Sequence, residues 1–154
     1  MEIVREGKMN RKHILIVDDD LNILRSMEFI LEAADFGVSA GTNGQEALEK
    51  IKLAAYHSPV DLLITDIQMP GLSGLQLIDE VQRMNLSIPV LVITAYGGQK
   101  LRRELAQRGC QHYLDKPFDE EKLLEKVFTI LEENRESPIR RNIDANGTIP
   151  ETKG

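Results

Sequence analysis

Cysteine is nearly absent from this 154-residue chain, and so is any apolar run long enough to cross a bilayer. The single cysteine, Cys110, rules out an internal disulfide framework and suits a reducing cytoplasm, where a lone thiol with apolar neighbours is ordinarily core packing. Positive charge is not in excess either: 19 Lys and Arg against 25 Asp and Glu leave a formal net charge of -6. No stretch interleaves basic residues with aromatics, which argues against direct nucleic-acid binding by this chain. The opening segment MEIVREGKMNRK is charged throughout and lacks the apolar core of a secretory leader. These absences point to a cytoplasmic protein with no membrane association. The length suits one domain able to bury a core without disulfides or structural metal, and leaves no room for a second catalytic domain.

What is present is an alternation of short apolar runs with helical patterns. Residues 1–12 read as a flexible arm, because they mix both charge signs without lasting periodicity. A strand over 14–17 is followed by Ile23, Leu24, Met27, Ile30, Leu31 and Ala34 at helical spacing, with Gly37 closing the helix. A short strand over 38–40 precedes a helix that Asn43 caps, with Glu46 placed to complete a capping box. The third strand, 62–65, leads through the turn-rich QMPGLSG to a helix capped by Ser73, with Leu77, Ile78 and Val81 inward. Strand four covers 90–93. The helix after it has a thin apolar stripe of Leu101, Leu105 and Ala106, ends at Gly109, and should be the least firmly held. A fifth strand near 111–114 and a last helix after Asp119 complete a fivefold βα repeat. From about 134 the tail has two prolines, an Asn-Gly pair and no stripe, and reads as disordered or as a linker. Near-continuous apolar strands with crossover helices imply a doubly wound parallel sheet covered on both faces.

Polar residues follow four of these strands: Asp18, Asp19 and Asp20 after the first, Asp66 after the third, Thr94 after the fourth and Lys116 after the fifth. In open α/β sheets the ligand crevice lies outside the carboxyl ends of the strands. Crowded carboxylates repel, so the group is reasonable only around a hard cation, and acid oxygens are the ligands that magnesium takes. Asp20 has an ordinary role as helix cap, but one cap does not account for three carboxylates. Asp66 reads either as a turn residue or as a nucleophile that captures a phosphoryl group as an acyl phosphate. Thr94 and Lys116, each unremarkable alone, would supply a hydrogen bond and a point charge to phosphoryl oxygens.

ILIVDDD at 14–20, LLITDIQMPG at 62–71, VLVITAY at 90–96 and YLDKPF at 113–118 together resemble the receiver domains of two-component response regulators, over residues 13–133. The resemblance implies a flavodoxin-like (βα)5 domain of strand order 2-1-3-4-5. It also implies phosphoryl transfer from a sensor histidine kinase or His phosphotransfer protein to Asp66, in a signalling domain that assists its own phosphorylation and dephosphorylation and is not a turnover enzyme. In that mapping Asp19, Asp66 and the main-chain carbonyl of Gln68 ligate Mg2+, and Asp18 acts mainly through water. Thr94 and Lys116 bind the phosphoryl oxygens. Tyr113 is the aromatic switch that turns inward with Thr94, the Lys116–Pro117 bond is cis, and Gln68 and Tyr96 flank the approach of water and tune the phosphoryl lifetime. A downstream protein or output domain follows as partner, and a phosphorylation-dependent dimer is compatible with it. The segment 52–61 is longer than usual for the family, which should enlarge a loop far from the pocket.

Two other readings compete. A haloacid-dehalogenase-like phosphatase would use Asp18 and Asp20 as its D-x-D pair, but it needs a later acidic pair and a cap domain, for which Asp66 alone and this length are insufficient. A flavodoxin that binds flavin would open its first strand into a hydroxyl- and glycine-rich loop, and three carboxylates there would repel the phosphate.

Overall fold

The computed structural model describes residues 11–135, so most of the expected arm and tail lies outside the described residues. The strands are β1 (His13–Val17), β2 (Gly37–Gly41), β3 (Leu62–Asp66), β4 (Val90–Thr94) and β5 (His112–Asp115). The helices are α1 (Leu21–Ala33), α2 (Gly44–Ala54), α3 (Gly74–Arg83), α4 (Gln99–Gln107) and α5 (Glu120–Arg135). All strand pairs are parallel and the order is β2-β1-β3-β4-β5, the flavodoxin-like arrangement that the resemblance implied.

Alternate residues of each strand serve opposite faces, which is why the strands read as almost unbroken apolar runs. Ile14, Ile16, Leu62, Ile64, Leu91 and Ile93 pack with Leu24, Met27 and Leu31 of α1 and Leu123, Val127 and Ile130 of α5. Leu15, Val17, Leu63, Val90 and Val92 pack with Ala47 and Ile51 of α2, Leu77, Ile78 and Val81 of α3, and Leu105 of α4. Cys110 is buried in this second cluster, as packing. Among the described residues no helix is long and apolar enough to cross a membrane.

Most helix starts follow the sequence pattern. Asp20 caps α1, accepting from the amides of Asn22 and Ile23, and Ser73 caps α3 in a reciprocal box with Gln76. Three local expectations are corrected. Gly37 does not close α1: the left-handed residue there is Asp35, at φ 74, and Gly37 already pairs with His13 in β2. Aspartate tolerates that conformation, and using it lets Phe36 enter the core directly behind the helix. Asn43 caps α2 as expected, but the Glu46 carboxylate accepts from the amide and hydroxyl of Thr42, not from the cap's own amide. Those bonds hold the Glu46 carboxyl below its usual range. The fifth strand runs over His112–Asp115, one residue later than 111–114. At the other edge Lys12 O already accepts from Gly37 N at 2.9 Å.

The N-cap of α4 is Gly98, which offers no side-chain cap, and Leu105 is the helix's one buried residue. Its far end is tied down by Arg108, whose guanidinium meets both carboxylate oxygens of Asp79 on α3 at 2.8 and 3.2 Å. The 55–61 loop lies at the amino edge of the sheet, where His13 contacts Ser58 O and Asp61 accepts from His13 N, remote from the pocket as expected.

Candidate functional site

Strand register brings the polar residues together. Val17 pairs with Thr65, which sets Asp18 beside Asp66 at the carboxyl ends of β1 and β3. Asp66 pairs with Ile93 and Thr94 with Asp115, so Thr94 and Lys116 follow one step further along the same edge.

The two strand-end carboxylates are held by their own backbones. Asp66 Oδ1 accepts from Ile67 N at 2.7 Å, and Asp18 Oδ1 accepts from Asp20 N at 2.9 Å. Their outer oxygens share Lys116: Nζ donates to Asp66 Oδ2 at 3.2 Å and lies 2.9 Å from Asp18 Oδ2. The Asp18 side chain is fully buried, and this ion pair with Lys116 is the charge partner of its outer oxygen. Burial raises the Asp18 carboxyl above its ordinary value, and the neighbouring Asp66 charge adds to this, against the opposing pull of the Asp20 amide and Lys116. Burial works to lower the Lys116 ammonium, but the two carboxylates outweigh it and the net shift is upward.

Asp18 and Asp19, neighbours in sequence, differ completely in setting: Asp18 is buried and Asp19 is exposed. One oxygen from each of Asp18, Asp19 and Asp66 nevertheless falls in a group whose members all lie within 4.8 Å of one another. That all-oxygen donor set fits a hard divalent cation. Asp20 is turned away into its capping role.

Thr94 is buried, and its hydroxyl accepts from Tyr96 N at 3.1 Å. Lys116 N donates to Thr94 O at 2.8 Å, which links the two loops that carry the hydroxyl and the ammonium. The Lys116–Pro117 bond is cis, as the resemblance implied. Gln68 and Tyr96 both line an open groove of about 260 Å3 that runs from Thr94 between the β3–α3 loop and α4. Tyr96 is 74% exposed and stands at the mouth of this groove. Tyr113 is half-buried on β5, under the guanidinium of Arg102.

One residue that sequence reasoning passed over shapes the acceptor. Gly74, the first residue of α3, approaches Asp66 so closely that a Cβ on it would lie 2.1 Å from Asp66 O. Gly74 N donates to Ile67 O at 2.8 Å and closes the loop over the end of β3. The glycine in QMPGLSG that follows the helix cap was the available signal, but nothing in the sequence says what it touches.

A doubly wound parallel sheet with an acid pocket at its carboxyl edge, a lysine across it and a hydroxyl beside it is the arrangement expected of a two-component receiver domain. The chain belongs to the response regulator receiver domain family, whose model matches residues 14–128. Over 136 residues it is 32% identical to the transcriptional regulatory protein YesN of Bacillus subtilis, covering 86% of this chain and 36% of that protein. It is likewise 32% identical to the DNA-binding transcriptional regulator NtrC of Escherichia coli, over 95% of this chain and 30% of the relative. The chain thus spans about a third of the length of these curated relatives. Among solved structures, a CheY-like receiver domain protein from Methanospirillum hungatei superposes with a TM-score of 0.75 at 29% identity, covering 82% of this chain and 98% of the other. The chemotaxis protein CheY4 of Vibrio cholerae gives 0.72 at 27% identity, covering 78% and 98%. The phosphatase alternative finds no support here, since Asp20 is spent on the helix cap and family and fold point elsewhere.

Proposed function

We propose that this domain accepts a phosphoryl group on Asp66 from the phosphohistidine of a sensor histidine kinase or His phosphotransfer protein, and passes the signal to a downstream protein or output domain in the cytoplasm. The observation that carries the reading is the shared edge on which Asp66, Asp18, Lys116 and Thr94 converge. An Asp66 carboxylate oxygen forms the new bond to phosphorus as the bond from the donor imidazole nitrogen breaks, and the imidazole leaves with a proton from solvent. Lys116, already beside Asp66, balances charge on the transferred group, and the Thr94 hydroxyl leaves Tyr96 N to donate to a phosphoryl oxygen. Asp18, Asp19, Asp66 and the main-chain carbonyl of Gln68 would hold Mg2+, which when bound neutralises the negative charge that otherwise opposes attack. Water later attacks phosphorus, returning the carboxylate and inorganic phosphate, so each captured group is used once. A partner must reach Asp66 over this edge, and an apolar groove of about 530 Å3 between α1 and the Lys116–Phe118 segment adjoins it.

With magnesium and acetyl phosphate the intact protein should gain one acid-stable, base-labile phosphoryl group by mass spectrometry. Undiminished labelling in the presence of a chelator would remove magnesium from the reading.

Two further outcomes follow from the geometry. Asp18 and Asp66 repel in the metal-free pocket, and the exposed Asp19 adds a third negative charge to the cluster. Asp19→Asn should therefore leave the metal-free fold as stable or more stable, while shrinking the stabilisation that magnesium confers. Denaturant unfolding with and without magnesium reads both, and a large loss of metal-free stability would make Asp19 structural. Tyr96 lines the same groove as Gln68 and Thr94, and in this reading its ring would obstruct water approaching the acyl phosphate. Tyr96→Ala should speed loss of the phosphoryl group several-fold, a barrier change of roughly 1 kcal/mol, with magnesium affinity unchanged. Decay followed by mass after donor removal tests this, and an equal or slower rate would show that the ring does not shield the bond.

A further inference from the structure

We infer that Thr65 is a positioning residue for the phosphoacceptor: its buried hydroxyl holds the peptide between Asp66 and Ile67, and through that peptide fixes which oxygen of the Asp66 carboxylate faces the pocket. This role presupposes that Asp66 is the acceptor, and adds to it the group that aims the carboxylate. Of the polar side chains buried among the described residues, Asp18, Asp66 and Thr94 already have a place in the pocket and Thr65 does not. Successive strand residues serve opposite faces, so Thr65 lies on the side of Leu63, under α2 and α3. A valine would fill that place with the same shape, and a fully buried hydroxyl is costly unless it is bonded.

Its bond goes to the acceptor's own carbonyl. The ladder between β1 and β3 ends at the Val17–Thr65 pair, one residue short of Asp66, and Thr65 Oγ1 donates to Asp66 O at 2.8 Å. The N–H of that same peptide belongs to Ile67 and donates to Asp66 Oδ1 at 2.7 Å. A peptide is planar, with its C=O and N–H directed oppositely, so turning the carbonyl turns the amide and the carboxylate oxygen that the amide holds. Gly74 closes the clamp from the other side: a Cβ on it would lie 2.1 Å from Asp66 O, and its N–H donates to Ile67 O at 2.8 Å. Contact with Gly74 limits how far the carbonyl can swing, whereas the Thr65 hydroxyl attracts it to one direction. With Oδ1 held in this way, Oδ2 is the oxygen presented to Lys116, at 3.2 Å. Attack on phosphorus requires one oxygen in line with the bond that breaks, and a carboxylate already aimed spares the reaction that ordering.

The test compares, in the full chain, Thr65→Val, which keeps the shape without the hydroxyl, and Thr65→Ser, which keeps the hydroxyl. Both are melted beside the wild type, so that rates are read on folded protein. Labelling by acetyl phosphate is followed by intact mass, at magnesium concentrations that saturate each variant. The rate should fall about five- to tenfold in Thr65→Val and stay within about twofold of wild type in Thr65→Ser. The Ile67 amide, observed by proton–nitrogen correlation NMR before any phosphoryl donor is added, gives a second readout. A short bond to a carboxylate draws an amide proton downfield, so this signal should move upfield in Thr65→Val and hold in Thr65→Ser. A wild-type labelling rate in Thr65→Val, an unmoved Ile67 signal in that variant, or a serine variant as slow as the valine one would overturn the role of Thr65 and leave the phosphoacceptor reading standing. No labelling of the wild-type chain would overturn that reading itself, while the Ile67 signal would still decide whether the hydroxyl aims the carboxylate.

Discussion

Asp66→Ala should take up no phosphoryl group under conditions in which the wild-type chain gains one. Asp66 ends the central strand, is 7% exposed, and has one oxygen anchored by Ile67 N and the other facing Lys116. Asp18 cannot replace it as nucleophile, because it is fully buried and its Oδ1 is held by Asp20 N. Asp19 is exposed, but it is not the carboxylate to which the Lys116 ammonium donates. The fold should survive the change. Alanine strands the Ile67 amide, at a cost of roughly 1 kcal/mol, while removing the Asp18–Asp66 repulsion acts in the opposite direction. Lys116 keeps Asp18 as its charge partner at 2.9 Å. Intact mass after acetyl phosphate and magnesium, beside a thermal melt of the same sample, separates loss of the acceptor from loss of the fold. A labelled Asp66→Ala protein would move the acceptor elsewhere.

Gly74→Ala should be the most damaging single methyl group near the site. The added Cβ would stand 2.1 Å from Asp66 O and 2.8 Å from Ile67 Cα, and both are backbone atoms that no rotamer change can move aside. Relief requires α3 to lift from the end of β3 or Asp66 to shift, and the Gly74–Ile67 hydrogen bond joins the two. Overpacking against backbone puts the cost at roughly 3 kcal/mol, a fall of about 10 °C in Tm for a domain of this size. Any protein that remains folded should label slowly, because the acceptor has moved. Gly71 is the control: its φ of +75 disfavours a side chain, yet a Cβ there meets nothing within 4 Å. Gly71→Ala should cost only the left-handed strain, about 1 kcal/mol, with labelling retained. Equal melts for the two variants would show that α3 yields without resistance.

Much of this protein is legible locally. Asp20, Ser73 and Asn43 announce helix starts because a cap needs only an oxygen within three residues of the amides it serves. Where the partner lay one residue off, the pattern misled: Glu46 serves Thr42 where a regular box would return to the cap. The end of α1 misled for a related reason. Glycine is the usual left-handed residue, but Phe36 had to enter the core, and that placed the turn at Asp35. Gly74 could not be read at all, since what forbids a side chain there is the Asp66 carbonyl eight residues earlier, brought close by the fold of the loop.

The sequence by itself determined the alternation of strands and helices, and the delivery of acids, hydroxyl and lysine to strand ends, because hydrophobic period and strand-end position are properties of neighbouring residues. Family membership follows from those same motifs. Only the tertiary structure decided between adjacent residues of the same type. Asp18, directly after β1, is buried, while Asp19 in the bend beyond it stays exposed at the rim of the same acid group, and only the packed sheet decides which carboxylate is covered. In the same way, Lys116 between two carboxylates and Arg102 over Tyr113 depend on strand register and on where α4 settles, distances that span many residues and exist only once the sheet is assembled.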